Sequence, residues 1–279
     1  MHPEKARHWT AGFTLRPTSI PELKLDVTYY DIWYTGRIVA PPLDRDALSN
    51  PALQPFIKLF SSPEQLQAVL ASETGGNVTY VDLTRDDFTG GAFGPNPQGL
   101  TTHVFDARVV NASVVETNGL DFAVSYSAKL SAGNLDLGLS ANYIQEMETV
   151  YAPGAPRFDS VGTTGNPAGL RVRASAAFTR RGWSGALATN YTDDYRDTVT
   201  AGYGRIRSYA TLDGYLSYTF QNSGTRALDG LSINVSAINL LDENLPRIAG
   251  SLATKGATYD SANADPLGRM IAVEIGKRW

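Results

Sequence analysis

The stretch Gly119–Leu130, GLDFAVSYSAKL, sets Leu120, Phe122, Val124, Tyr126, Ala128 and Leu130 against Asp121, Ala123, Ser125, Ser127 and Lys129. A period of two sends the first set to one side of a β-strand and the second to the other. The same alternation returns in Leu135, Leu137, Leu139, Ala141 and Tyr143, and again in Leu170, Val172, Ala174, Ala176 and Phe178. A further segment places Ala210, Leu212, Leu216, Tyr218 and Phe220 opposite Thr211, Asp213, Ser217 and Thr219. Working outward, nine strands are expected: Arg7–Arg16, Leu23–Tyr34, Thr117–Leu130, Asn134–Glu146, Gly169–Arg180, Trp183–Thr192, Arg207–Phe220, Leu231–Asn239 and Arg269–Trp279. Most run to ~10 residues or more, the length a strand needs to cross a bilayer at a tilt.

The connections take turns in length. Short ones are expected at Pro17–Glu22, Ser131–Gly133, Arg181–Gly182 and Gln221–Asp229, and long ones at Thr35–Glu116, Met147–Ala168, Asp193–Ile206 and Leu240–Gly268. Outer-membrane barrels have short periplasmic turns and long outside loops, whereas a soluble sandwich has no reason to sort its loops this way. The expected fold is therefore all-β: an antiparallel up-and-down transmembrane barrel segment with long extracellular loops. Nine strands is an odd number, where bacterial single-chain barrels have even ones, so the barrel is expected to be incomplete.

Composition agrees with this reading and narrows the others. The chain has 279 residues, 42% of them hydrophobic, and its mean hydropathy is −0.20. A barrel looks soluble by these measures, because only every second strand residue meets lipid. No run of ~18 apolar residues occurs, which excludes helical spans. A net charge of −4 offers no basic footprint for nucleic acid. The absence of cysteine removes disulfides and thiolate sites. The N-terminal MHPEKARHWTAGF lacks the basic-then-apolar pattern of a secretory signal, which leaves two readings, a soluble protein or a piece of something longer.

Aromatic residues cluster at strand ends, as Tyr29, Tyr30, Trp33 and Tyr34 and as Trp183, Tyr191 and Tyr195. Such rings form girdles at a membrane–water boundary, although β-propensity alone also favours them. The longest loop is expected to be partly helical. Ser62-Pro63-Glu64-Gln65 reads as an N-cap, Pro at the first helical position and a capping-box Gln, with Leu66, Val69 and Leu70 following at helical spacing. Asn50-Pro51 reads as a cap on a shorter turn that Pro55 would disturb.

The tail Tyr259-Asp260-Ser261-Ala262-Asn263-Ala264-Asp265-Pro266-Leu267-Gly268-Arg269, followed by a strand ending Lys277-Arg278-Trp279, resembles the C-terminus of TonB-dependent receptors. Asn239-Leu240-Leu241-Asp242-Glu243-Asn244-Leu245-Pro246 is similar to that family's "NLFDxxPP" signature, with two departures. Tyr30-Asp31-Ile32-Trp33-Tyr34, Arg37-Ile38 and the loop from Asn50-Pro51 to Ser62-Pro63 resemble a subgroup with a helical outside loop. His2-Pro3-Glu4-Lys5 to Gly12-Phe13 is similar to a strand start in the middle of those barrels, with Thr10 where Glu is usual. No single motif is specific, but their order and spacing are.

The resemblance implies an energised importer: a plug domain inside a barrel of roughly 22 strands, outside loops that capture a scarce ligand, and an inner-membrane TonB complex that pulls on the plug. Residues 1–279 match only the C-terminal part of that barrel. The plug, the TonB box and the N-terminal strands have no counterpart. The implied partners are outer-membrane lipid, the remainder of the receptor, the TonB complex through the absent plug, and an unidentified small ligand of the siderophore, vitamin or glycan class. The alternatives are a passive pore built from several copies and a non-functional gene remnant.

No enzyme chemistry is expected. His2, His8 and His103 are scattered, without a second ligand motif beside them. No G-x-S-x-G elbow is present, and the histidine positions do not supply the Ser–His pair near the outer rim that an outer-membrane hydrolase needs. Gly202-Tyr203-Gly204 reads as a loop tip, and Asn77-Val78-Thr79 carries no weight in a bacterial protein. Asp86-Asp87 and Asp193-Asp194 read as solvated loop charge rather than a cation site. Parity turns Asp121, Lys129, Asp136, Asn142, Arg171, Arg173 and Asp213 towards the lumen. A wet interior needs polar side chains whether or not it binds anything. No catalytic, cofactor or metal residue is assigned, and the ligand-binding residues are unknown.

Overall fold

A computed structural model describes residues 3–42, 47–60, 102–112, 114–198, 204–221, 227–248 and 258–278, together with 62, 64, 65, 68, 224 and 225. Its main element is one antiparallel sheet of nine long strands in sequence order. They are β1 (Lys5–Leu15), β2 (Leu23–Thr35), β3 (Val114–Leu130), β4 (Gly133–Val150), β5 (Leu170–Arg180), β6 (Trp183–Thr192), β7 (Tyr209–Thr219), β8 (Leu231–Ile238) and β9 (Met270–Lys277). Each pairs only with its sequence neighbours, apart from a two-residue piece, Phe158–Asp159, laid on β4. Among the described residues the far edges of β1 and β9 have no partner, so the sheet is open. The expected strands are all present. The main difference lies at the outer ends of β3 and β4, which run on to Val114 and Val150, beyond the start of β5 and level with the ends of β1 and β2.

The register builds two chemically distinct faces. One row across the sheet is Leu15, Leu25, Val124, Leu139 and Ala174; another is Phe178, Gly185, Leu216, Val235 and Val273. Among the described residues no second layer covers them: Phe13 is 59% exposed, Leu187 52% and Val273 66%. In a water-soluble sandwich these rows would be the core. Here lipid is the only solvent that suits them. On β3 the outward residues run from Leu120 to Leu130. That is ten steps of ~3.3 Å at a tilt of about 40°, or roughly 25 Å, which matches the apolar band of outer-membrane barrels.

The two ends of the sheet differ. At one end Leu130 pairs Gly133, Arg180 pairs Trp183, and the Phe220–Gly230 turn joins β7 to β8. Arg181 carries φ 51 in its two-residue turn. All four long connections leave from the opposite end, and Lys277 of β9 pairs Leu231 at the short-turn end. Trp183 and Tyr218 stack there at 4.6 Å, and Trp9 and Tyr29 stack near the other end at 5.1 Å, both pairs facing outward. Tyr30 and Tyr34 face inward by register, and Tyr195 leaves the girdle altogether to be buried in a loop core.

In the longest loop, Glu64, Gln65 and Ala68 have helical backbone, and the Gln65 N–H donates to Ser62 Oγ at 3.3 Å. That is the cap expected there; Leu66, Val69 and Leu70 lie outside the described residues. So do Asn77–Thr79, Asp86-Asp87, His2, Gly202, Tyr203 and Trp279. Asn50 Oδ1 accepts from the Ala52 N–H at 3.0 Å, as a turn cap should. Pro55 does not disturb the turn; it lies inside a short 3-10 helix, Gln54–Phe56, near whose start a missing N–H costs nothing.

A bulge shifts the β3–β4 register between Asn118 and Gly119. Gly119 is required there. A Cβ would lie 2.3 Å from the Tyr143 carbonyl oxygen and 2.5 Å from Tyr30 Oη, whose ring packs across the glycine. Because the nearest atom is backbone, removing the tyrosine would not make room. Gly119→Val is expected to destabilise the barrel by about 3 kcal/mol. The check is the unfolding midpoint in urea, with Tyr30→Phe/Gly119→Val expected to recover little of the loss.

Candidate functional site

The inward face comes first, because a transported ligand would meet it. Asp121, Asn142, Arg171 and Thr192 form one inward row, and Arg173, Asn190 and Thr211 the next. All of these but Thr211 line a trough of about 530 Å³ that also includes Asp26 and Thr28. The side chains satisfy one another. Asn142 donates to Asp121 at 2.8 Å, Asn190 donates to Asp213 at 2.8 Å, and Arg173 donates to Asn190. Further down, Ser127 donates to Asp136 at 2.6 Å. Of the seven polar residues picked out by parity, Lys129, Arg171 and Arg173 are balanced by Asp121, Asp136 and Asp213. A wall without net sign, bonded to itself, has little left for a specific ligand.

The outer end is organised by interlocking loops. Asp260 and Asn263, in the loop before β9, are buried and reach across the barrel mouth. Asn263 Oδ1 accepts from the Ala168 N–H at 2.9 Å and from Arg171 Nη2 at 2.7 Å. Its Nδ2 donates to the Asn166 carbonyl and to Asp260 Oδ2, each at 2.8 Å. Asp260 Oδ2 also accepts from the Gly165 N–H at 3.1 Å. The loop between β6 and β7 joins in, since Arg196 N–H donates to Gly162 and Thr164 N–H donates back to Arg196. Ala168, Tyr195, Ile206 and Ile248 form a small apolar core beneath. Burial and the nearby Asp260 carboxylate push the Tyr195 hydroxyl well above its usual range, so it stays neutral.

A second fastening lies after β8. Asn239 is 2% exposed with φ 49, a left-handed conformation that Asn tolerates better than most residues. Its N–H donates to Asp213 Oδ1 at 3.1 Å, and its side chain exchanges hydrogen bonds with the backbone of Glu243 at 2.9 and 3.0 Å. Asp242 then accepts from the Arg269 N–H at 3.2 Å, and Arg207 pairs Glu243 at 2.8 Å. The Asn239–Pro246 and Tyr259–Arg269 segments are thus folded corners that set where the outside loops begin.

The loop between β2 and β3 packs on the one after β4 through Phe56, Tyr151, Phe105 and Phe158, with Phe56 and Tyr151 edge to face at 6.1 Å. Burial pushes the Tyr151 hydroxyl up to about 12. Arg157 bridges Glu116 at 2.7 Å and also Glu148, and the two carboxylates hold its guanidinium charged. Asp193 accepts from Tyr191 Oη at 2.8 Å and Asp194 pairs Arg205, so this acidic pair is used internally. His8 lies on β1 and His103 on a short loop strand, Thr102–Phe105; among the described residues no group of three or more His, Cys, Asp or Glu is disposed to hold a metal.

A membrane-spanning meander with lipid-wetted rows, a polar trough and interlocked outer loops defines the class: an outer-membrane receptor-type β-barrel. A family model for "TonB dependent receptor-like, beta-barrel" matches residues 1–240, and the chain belongs to that family. Among solved structures it is similar to the siderophore receptor PirA from Acinetobacter baumannii, at 11% identity and a TM-score of 0.51 over 97% of this chain. It is similar also to the ferric enterobactin receptor PfeA from Pseudomonas aeruginosa, at 13% identity and a TM-score of 0.53 over 98% of this chain. The chain spans 31% of the length of each of these. A search of curated proteins returns no match. The family is one of receptors and transporters of the outer membrane rather than of enzymes.

Proposed function

We propose that residues 1–279 act as the C-terminal barrel portion of a receptor that takes up a scarce ligand across the outer membrane, drawing on the TonB complex. The observation that supports this most is the family match laid along an open sheet whose apolar rows face outward. In this reading the remaining strands and the plug belong to the rest of the receptor, and the coupling to TonB runs through that plug. The ligand belongs to the siderophore, vitamin or glycan class. Ferric siderophores are the first choice, because PirA and PfeA are receptors for a siderophore and for ferric enterobactin. In this reading selectivity lies in the outer loops and plug, and the balanced charge of the trough supports that. The test is growth under iron limitation with single ferric siderophores, comparing a deletion strain, its complemented form and a tonB deletion. Loss of growth on one siderophore in both deletions, restored by complementation, is the expected result. Growth that is indifferent to the gene on every iron, cobalamin and glycan source would end the proposal.

A further inference from the structure

On the outward face, just above the apolar band, two rows of charged side chains follow one another. The upper row is Arg7, Trp33, Glu116 and Glu148; the lower is Trp9, Asp31, Asn118 and Glu146. The upper carboxylates have their cation, because Arg157 lies on both, while Arg7 stacks over Trp33 at 5.8 Å. The lower row repeats the spacing of acidic groups on neighbouring strands, but among the described residues neither Asp31 nor Glu146 has an ion pair.

Asn118 lies between them and adds a second, independent observation. It is only 7% exposed; its Nδ2 donates to Glu146 Oε2 at 2.9 Å, and its Oδ1 is the one buried side-chain polar atom without a partner among the described residues. Since Nδ2 turns towards β4, the other arm of the amide turns towards β2, where Asp31 stands directly opposite. Cross-strand partners on one face lie close enough for short side chains to meet. A buried acceptor without a donor is costly, and two carboxylates beside it give it no donor at all. What satisfies a buried acceptor set between two carboxylates is a hard cation.

We propose that Asp31, Asn118 and Glu146 hold a divalent cation of the calcium or magnesium type at the outer rim of the lipid-facing surface. Asp31 and Glu146 supply charge and Asn118 Oδ1 a neutral oxygen. The open coordination positions face the headgroup layer. Glu116 and Glu148 take no part, because Arg157 already occupies them.

Trp9 stands opposite Asp31 and gives the site a reporter. Protein purified from outer membranes in detergent, as the cell makes it, is titrated with Tb³⁺ alone under tryptophan excitation and then with Ca²⁺ alone as competitor. Saturable sensitised emission displaced by Ca²⁺ is expected. Asp31→Asn should weaken Tb³⁺ binding about tenfold or more, because affinity in such sites follows ligand charge. Asn118→Asp should tighten it, and the unfolding midpoint should already rise with Ca²⁺ in the unsubstituted protein, a dependence that Asn118→Ala should weaken and a merely structural asparagine would not carry. Glu146→Gln, on an exposed side chain, reads the same site if Asp31→Asn fails to assemble, and Glu274→Gln on the inward face serves as the control. Absence of saturable emission, or unchanged affinity in Asp31→Asn and Glu146→Gln, overturns the proposal.

Discussion

Placed in lipid by itself, the 279-residue chain will not form a stable membrane protein. The sheet ends in two free edges, β1 with eleven residues and β9 with eight. Along an edge strand about half of the backbone N–H and C=O groups face away from the partner, and in hydrocarbon each unsatisfied group costs several kcal/mol. Two such edges together cost on the order of tens of kcal/mol, against the ~5–15 kcal/mol by which folded domains are stable. Neither edge has protection. β1 is exposed along its whole length, and β9 presents Ile271, Val273 and Ile275 outward with no proline or charge among them to discourage pairing. The expected outcome is aggregation or exclusion from the membrane when the chain is made alone. Co-expression with the remaining strands of the receptor proposed above should rescue it. Gel mobility with and without heating, together with protease resistance in liposomes, reads the difference. A heat-modifiable, protease-resistant monomer of the lone chain would show that the edges meet each other.

The sheet was legible because lipid and lumen impose opposite demands on alternate residues. Gly119–Leu130 therefore announced both faces, and the loop lengths announced both ends. What alternation cannot carry is the identity of partners far apart in sequence. Asp260 and Asn263 drew notice only as part of a resembling tail, yet their work is done on residues 165–171, nearly a hundred positions earlier. Tyr195 read as a girdle residue because its neighbours are aromatic; only the fold shows it buried beside Asp260. Asn118 drew no notice at all. Its place beside Glu146 depends on the bulge at Gln145 of β4, which brings Glu146 to the outward face, and bulges leave no periodic signal. The unassigned ligand site has the same origin: parity shows which polar residues face inward but not that Asp121 is taken by Asn142, Asp213 by Asn190 and Arg171 by the loop before β9.

Asn263→Ala should unlock the outer loops while leaving the strands intact. The substitution removes the acceptor from the N–H of Ala168, a residue only 1% exposed. A buried donor left without a partner costs about 1–3 kcal/mol, and losing the Asn166 and Asp260 contacts adds about 1 kcal/mol more. That sum is large for a local element, because loops of this sort rest on few apolar contacts; here the core is Ala168, Tyr195, Ile206 and Ile248. Arg171 keeps the Ala262 carbonyl at 2.7 Å but loses its second acceptor, and its guanidinium becomes free to swing into the trough it lines. Amide exchange at residues 162–168 and 195–197 should accelerate by at least tenfold, with the protected amides of β5 and β6 unchanged, since ~1.4 kcal/mol is worth a factor of ten. Asn263→Asp separates the two halves of the side chain. It keeps the acceptor for Ala168 and Arg171 but sets a carboxylate against Asp260 Oδ2, so its loops should be loose although the Ala168 N–H keeps its partner. Exchange in Asn263→Ala indistinguishable from wild type would mean that the loops are held by their apolar core, with the asparagine a passenger.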